Sequence, residues 1–184
     1  ATALKSLDRE DVTIFAAGRS NSRETDPAVF DHELNRLRTA IQEAPTNKIV
    51  YFGTASIFDA SVQTTPYVIH KKRIEEFITT CNIPYLIIRL PTVIGPYSLS
   101  PTLVNELYRT IIHNRTIVIQ GLARRYPLDV DDVKKIVQYY LDAKENLIIN
   151  AGINYYSIYD FVFTLAELLN KKVEVRSERR GSVY

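Results

Sequence analysis

Ile49-Val50-Tyr51-Phe52 runs directly into Gly53-Thr54-Ala55-Ser56-Ile57-Phe58. A polar loop, Asp59 to Thr65, leads to Pro66-Tyr67-Val68-Ile69-His70-Lys71, and Pro84-Tyr85-Leu86-Ile87-Ile88-Arg89-Leu90 closes the stretch. The two apolar runs have strand length and composition, and Pro66 suits the first turn of a helix. Lys48 to Leu90 therefore reads as strand, loop, helix, strand. On the helix, Tyr67 and Lys71 are one turn apart and share a face. Thr54 lies at the carboxyl end of the first strand, where open α/β sheets take their ligands. A hydroxyl, a phenol and an ammonium are thus expected to meet at one point.

Those three groups suit proton-coupled hydride transfer. An ammonium close to a phenol favours the phenolate, which can exchange a proton with a substrate hydroxyl near neutral pH. Thr54 would orient that hydroxyl, and a nicotinamide would supply the redox step. The Tyr-x-x-x-Lys spacing alone does not establish this. Tyr140 and Lys144 repeat it, but that copy ends a helix, follows no hydroxyl-bearing strand end, and reads as a surface pair. The strands around Tyr67 and the position of Thr54 separate the two copies.

Outward from this stretch the pattern stays α/β. Asp11 to Ala17 is an apolar run suited to a buried parallel strand. Phe30 to Ala44 is helical through Phe30, Leu34, Leu37 and Ile41. Ile74, Phe77 and Ile78 give the buried side of the Tyr67 helix, with His70 read as packing or surface. Pro91 to Pro101 reads as loop, Thr102 to Asn114 as helix and Thr116 to Gln120 as strand. Asp131 or Asp132 is expected to cap a helix running to about Ala143. Leu147 to Asn150 and Val173 to Val175 are expected strands. Between them Ser157 caps a helix to Leu169 with Phe161, Leu165 and Leu168 inward. Strands alternating with helices predict a parallel sheet.

The 184 residues fit one compact unit, and 46% apolar with 24% charged residues is ordinary for a globular chain. A net charge of +2 gives no support to nucleic acid or an anionic membrane as partner. The single cysteine, Cys81, excludes an internal disulfide, suits a reducing compartment and reads as core. No apolar run reaches transmembrane length and no signal-peptide pattern is present, so the expected location is cytoplasmic. His32 and His113 have no clustered carboxylate or thiol partners, so no metal site is expected. The chain starts at Ala1 and contains no methionine. It reads either as a piece of a longer polypeptide or as a written sequence from which modified methionines are missing.

Ordered motifs along nearly the whole chain resemble the extended short-chain dehydrogenase/reductases, the sugar-nucleotide epimerase and dehydratase group. Asp11-Val12-Thr13-Ile14-Phe15-Ala16-Ala17-Gly18 looks like that family's strand entering its Ala-rich cofactor loop, and Asn35 and Thr39 match its helical Asn-x-x-x-Thr. Thr54, Tyr67 and Lys71 fall on its catalytic triad. Arg89-Leu90-Pro91-Thr92-Val93-Ile94-Gly95-Pro96 is similar to its strand-to-substrate-loop signature. Arg125 through Val133 resembles its Arg-containing strand and the acidic segment after it, and Arg179-Arg180-Gly181 a substrate-binding stretch.

The resemblance implies a parallel-sheet Rossmann-like fold with a small C-terminal substrate lobe. Residues 1–90 and 129–150 would form the core, and 91–128 and 151–184 the lobe. It implies NAD or NADP as cofactor, met by Ala16, Ala17, Gly18, Asn35, Tyr67 and Lys71. It further implies a nucleotide-sugar substrate met by Thr92, Arg125 and Arg180, and a possible homodimer. The glycines at 18, 53, 95, 121, 152 and 181 include no Gly-x-Gly, so the chain looks like the family without its first βαβ unit. Phe15, Thr92 and Ser182 replace a histidine, an asparagine and an aspartate frequent in the family. Polyol contacts are therefore expected to differ from a typical epimerase.

The expected function is an NAD(P)-dependent oxidoreductase acting on a nucleotide sugar, of the epimerase or 4-keto reductase type. Ala55-Ser56 stands where 4,6-dehydratases carry Asp-Glu, which disfavours that reaction. The alternative is a non-catalytic relative that binds a nucleotide or a protein partner. The missing glycine turn favours it and the intact Thr54, Tyr67 and Lys71 oppose it.

Overall fold

The computed structural model describes residues 9–45, 47–96 and 102–178. Strand β1 (Val12–Phe15) is followed by helix α1 (Pro27–Glu43), β2 (Lys48–Thr54), a short 3-10 helix (Ala55–Phe58), α2 (Pro66–Thr80) and β3 (Tyr85–Leu90). Then come β4 (Thr92–Ile94), α3 (Leu103–Ile112), β5 (Ile117–Gln120), β6 (Arg124–Arg125) and β7 (Pro127–Asp129). The chain continues through α4 (Val130–Tyr140), β8 (Leu147–Asn150), β9 (Tyr156–Ser157), α5 (Ile158–Leu168) and β10 (Val175–Glu178).

The main sheet has the order β1-β2-β3-β8, with every pair parallel. Its central strands, β2 and β3, are buried on both faces, which explains their unbroken apolar runs. The period of two sends Ile49 and Tyr51 to one face and Val50 to the other. On the first face, Phe15, Ile49, Tyr51 and Ile87 pack against Leu34 and Leu37 of α1 and Ile74 and Ile78 of α2. On the second, Val50, Leu86 and Ile88 meet Val137 and Leu141 at α4. A further core lies beside the sheet. It joins Leu107 and Ile111 of α3, Ile117 and Ile119 of β5, and Ile158, Phe161 and Val162 of α5.

The helices start where the sequence supplies acceptors. Asp26 accepts from the Ala28 N–H at 2.9 Å, with Pro27 opening α1. Thr65 caps α2 before Pro66, and Ser157 and Asp160 form a reciprocal capping box on α5. Asn82, Asn114 and Asn170 take φ near +50° just past α2, α3 and α5, a conformation asparagine tolerates better than most residues.

Several expectations are corrected. Thr92–Ile94 is not loop but β4, which pairs in parallel with β7. Helix α4 is capped by Asp129, whose side chain accepts from the Asp131 N–H at 2.7 Å, rather than by Asp131 or Asp132. It ends at Tyr140, so Lys144 lies beyond it. The last strand is Val175–Glu178, because pairing with β5 fixes its register. Leu168 is 77% exposed, and the inward stripe of α5 is Ile158, Phe161, Val162 and Ala166, which follow the 3.6-residue period.

Candidate active site

The carboxyl ends of β1, β2 and β3 open onto one cavity of about 530 Å³. Ala16 and Gly18 reach it from the loop after β1, Gly53, Thr54 and Ser56 from the end of β2, and Leu90 and Pro91 from the end of β3. Tyr67 and Lys71 enter from α2, and Thr92, Glu106 and Arg125 close the far side. Parallel alignment of the strands puts their carboxyl ends on one edge, so residues far apart in sequence meet there.

Thr54 ends β2 and caps the 3-10 helix. Its Oγ1 accepts from the Ser56 N–H at 3.2 Å and donates to Ser56 Oγ at 3.1 Å. Tyr67 is the second residue of α2 and is buried, and Lys71 Nζ sits 5.8 Å from the centre of its ring. Thr92 enters through β4 and Arg125 through β6. Ala17 lines an adjoining cavity of about 510 Å³ that shares Gly18 and Arg19 with the first. Asn35 is exposed on α1 and accepts from Arg38 Nη1 at 3.2 Å. Arg180 lies outside the described residues.

The polar group that α1 turns toward the site is Glu33, which the sequence reading passed over. Its Oε1 lies 2.9 Å from Lys71 Nζ, and its Oε2 accepts from the Arg19 N–H at 2.9 Å. Tyr51, inward on β2, donates to Glu33 Oε1 at 3.2 Å and accepts from Lys71 Nζ at 3.1 Å. The signal was present. Glu33 is three residues after Phe30 and four before Leu37, so it stands within the apolar stripe, whereas Asn35 stands off it.

His70 is likewise buried rather than turned to the surface. Its ring stacks on Phe30 at 4.5 Å between centroids, and its Nε2 is 3.1 Å from Glu33 Oε2 but outside hydrogen-bonding angles. It is three residues after Tyr67 and four before Ile74, which puts it on the packed side of α2.

Burial raises the Glu33 carboxyl, but the His70 ring, the Lys71 ammonium and the Arg19 N–H outweigh that and hold it at about 2. The Lys71 ammonium, charged and hydrogen-bonded at 2.9 Å, is the firmest of these contacts, since His70 Nε2 lacks hydrogen-bond geometry. Burial lowers Lys71, and Glu33 opposes that fall. Burial and the neighbouring Glu33 push the Tyr51 phenol up.

The arrangement resembles several solved folds. The Thermus thermophilus UDP-glucose 4-epimerase in complex with NAD superposes with a TM-score of 0.76 at 16% identity, covering 94% of this chain and 67% of that one. The Methanobrevibacter ruminantium UDP-N-acetylglucosamine 4-epimerase in complex with UDP-N-acetylmuramic acid gives 0.74 at 17%, covering 100% and 69%. The Bordetella bronchiseptica enzyme WbmG in complex with NAD and UDP gives 0.76 at 17%, covering 98% and 63%. The chain thus spans about two thirds of the length of these structures, and at such identities they establish a shared fold. No curated protein matches the sequence significantly. The sequence pattern of the NAD dependent epimerase/dehydratase family matches residues 11–152, most of the chain, from β1 through β8. With its parallel sheet and the cavity at the strand ends, the chain belongs to the NAD dependent epimerase/dehydratase family.

Proposed function

We propose that the protein is an NAD(P)-dependent oxidoreductase acting on a nucleotide sugar, of the epimerase or 4-keto reductase type. The observation that carries this reading is the convergence of Thr54, Tyr67 and Lys71 on one cavity that also reaches Arg125. The proposal includes the division into a core, 1–90 and 129–150, and a substrate lobe, 91–128 and 151–184, with the cavity between them. It also includes a cytoplasmic location and a homodimer. No helix among the described residues is long and apolar enough to cross a membrane.

The residues fit the nicotinamide and ribose end of a dinucleotide. Lys71 offers an ammonium at the wall, and the Gly18 backbone approaches so closely that a Cβ there would lie 3.0 Å from both Glu33 Oε1 and Lys71 Nζ. When bound, the nicotinamide accepts and returns the hydride of the redox step. Tyr67 takes the proton from the sugar hydroxyl at its phenolic oxygen and later gives it back. Lys71 stabilises the phenolate and holds the ribose hydroxyls. Thr54 Oγ1 orients the sugar hydroxyl, Thr92 lines the sugar, and Arg125 meets the diphosphate, for which a planar guanidinium is well matched. Ala16, Ala17 and Gly18 contact the cofactor, and the family pattern assigns Asn35 to the cofactor and Arg180 to the substrate.

One observation favours the alternative of a non-catalytic relative binding a nucleotide or a protein. The Glu33 carboxylate partly cancels the Lys71 charge that would favour a phenolate at Tyr67. The two readings separate on turnover. Purified intact protein, given NAD or NADP and a panel of UDP- and dTDP-sugars, should change the configuration or oxidation state at a sugar hydroxyl. Tight sugar-nucleotide binding with no turnover under either cofactor would instead support the binding-only reading.

A further inference from the structure

Lys71 is 1% exposed, and its ammonium carries three N–H donors. Glu33 Oε1 takes one at 2.9 Å and Tyr51 Oη takes another at 3.1 Å. Tyr51 Oη in turn donates to Glu33 Oε1 at 3.2 Å, so three groups from α2, α1 and β2 close a triangle. Gly18 lies against this triangle, where a Cβ would come 3.0 Å from both Glu33 Oε1 and Lys71 Nζ. The remaining N–H belongs to a side chain that lines the cavity wall.

We infer that Glu33, with Tyr51 as the second contact, is a positioning residue that fixes the Lys71 ammonium so that one N–H is left for a hydroxyl-bearing ligand in the cavity. The inference deepens the proposed function and rests on it for the ligand, the ribose of a nicotinamide dinucleotide. Without a fixed partner a buried ammonium loses its charge or turns toward other acceptors. The groups facing Lys71 are Glu33 from α1, Tyr51 from β2, and Tyr67 and Glu75 from α2, with His70 on the far oxygen of Glu33. Glu33 is the one of them that both carries charge and hydrogen-bonds Nζ. Glu75 acts on Lys71 only through space and is itself bonded to Arg89 at 2.7 Å.

The test is a double-mutant cycle on the intact protein with Glu33→Gln, Lys71→Met and the pair, read three ways. In thermal unfolding without cofactor, each single variant should lose about 10 °C, because a buried charge is left unpaired, and the pair should be no worse than either. In calorimetry, Glu33→Gln should weaken NAD binding about tenfold, and Tyr51→Phe should do so less, without changing a charge. In the pH profile of kcat/KM, Glu33→Gln should move the alkaline limb down by roughly one to three units as Lys71 loses its partner. Additive losses in the cycle, with unchanged NAD affinity and an unchanged alkaline limb, would overturn the inference. If Glu33→Gln does not fold, Tyr51→Phe with normal NAD affinity does the same. A wild-type protein that binds no dinucleotide would overturn the functional reading and the ligand half of this inference, while the unfolding cycle still decides whether Glu33 holds Lys71.

Discussion

Glu33 Oε1 stands 2.9 Å from Lys71 Nζ across the contact of α1 with α2, with 3% of Glu33 and 1% of Lys71 exposed. A buried ion pair of this kind contributes little net stability against an apolar alternative, but losing one partner costs several kcal/mol, about 3 to 5. The site therefore depends on both charges being present, and pH reaches it through Glu33.

In the folded protein the Glu33 carboxyl is held at about 2, below its ordinary value of 4.5. A depressed acid contributes stability that is complete above its unfolded value and lost as protons bind the folded form. Thermal midpoints should therefore fall as pH drops from about 4.5 towards 2. Glu33→Gln should flatten that part of the curve and lower the midpoint at pH 7. An acid limb of the same depth in the variant would show that other carboxylates set it.

Tyr67→Phe should cost about a hundredfold or more in turnover, the usual scale of a lost acid/base group, while cofactor still binds. Tyr140→Phe is the matched control, because Tyr140 sits at the end of α4 and packs edge-on against Tyr139 at 4.8 Å. Steady-state rates of both variants decide the matter. Small and equal effects would remove Tyr67 from the chemistry.

Arg125 lines the cavity from β6, on the side of Thr92 and Glu106. Arg125→Ala should weaken binding of a nucleotide sugar more than binding of a nicotinamide dinucleotide. Calorimetry with both ligands reads this directly. Equal weakening would assign Arg125 to general electrostatics or stability.

Gly53 lies in β2 where a Cβ would come 2.5 Å from Glu75 Oε1. That carboxylate is the buried partner of Arg89, with Oε2 2.7 Å from Arg89 Nη2. Gly53→Ala should displace the pair and destabilise the protein by about 1 to 3 kcal/mol, the usual range for overpacking. Denaturant unfolding measures it, and a neutral result would mean that Glu75 turns aside at no cost.

Among the described residues β1 pairs with β2 on one side only, which leaves its other edge open. Val12 and Ile14 on that strand are only half-buried. Unpaired apolar edges invite association. The 184-residue chain expressed alone should self-associate or aggregate in size-exclusion chromatography. A monodisperse monomer with a cooperative unfolding transition and micromolar NAD affinity would sink this expectation.

Sequence by itself determined the strands and the two α-helices from Asp11 to Leu90, because two-sided burial makes parallel strands uniformly apolar, the period of Phe30, Leu34, Leu37 and Ile41 marks α1, and Pro66 marks the start of α2. It also named Thr54, Tyr67 and Lys71, whose hydroxyl, phenol and ammonium sit at fixed offsets from one strand end. Short pairings such as β4 with β7 and β6 with β9 were not legible, since two- and three-residue strands exist only through their partners. Asn35 drew attention as a motif residue, yet it is Glu33 that meets Lys71. Local pattern placed Glu33 on the inward stripe of α1, but nothing local said that Lys71, Tyr51 and the Arg19 N–H would be there to receive it. Only the packing of α1 and α2 on the same face of β2 brings those groups within hydrogen-bond reach. A carboxylate that would be forbiddingly costly to bury alone becomes part of the core through those contacts.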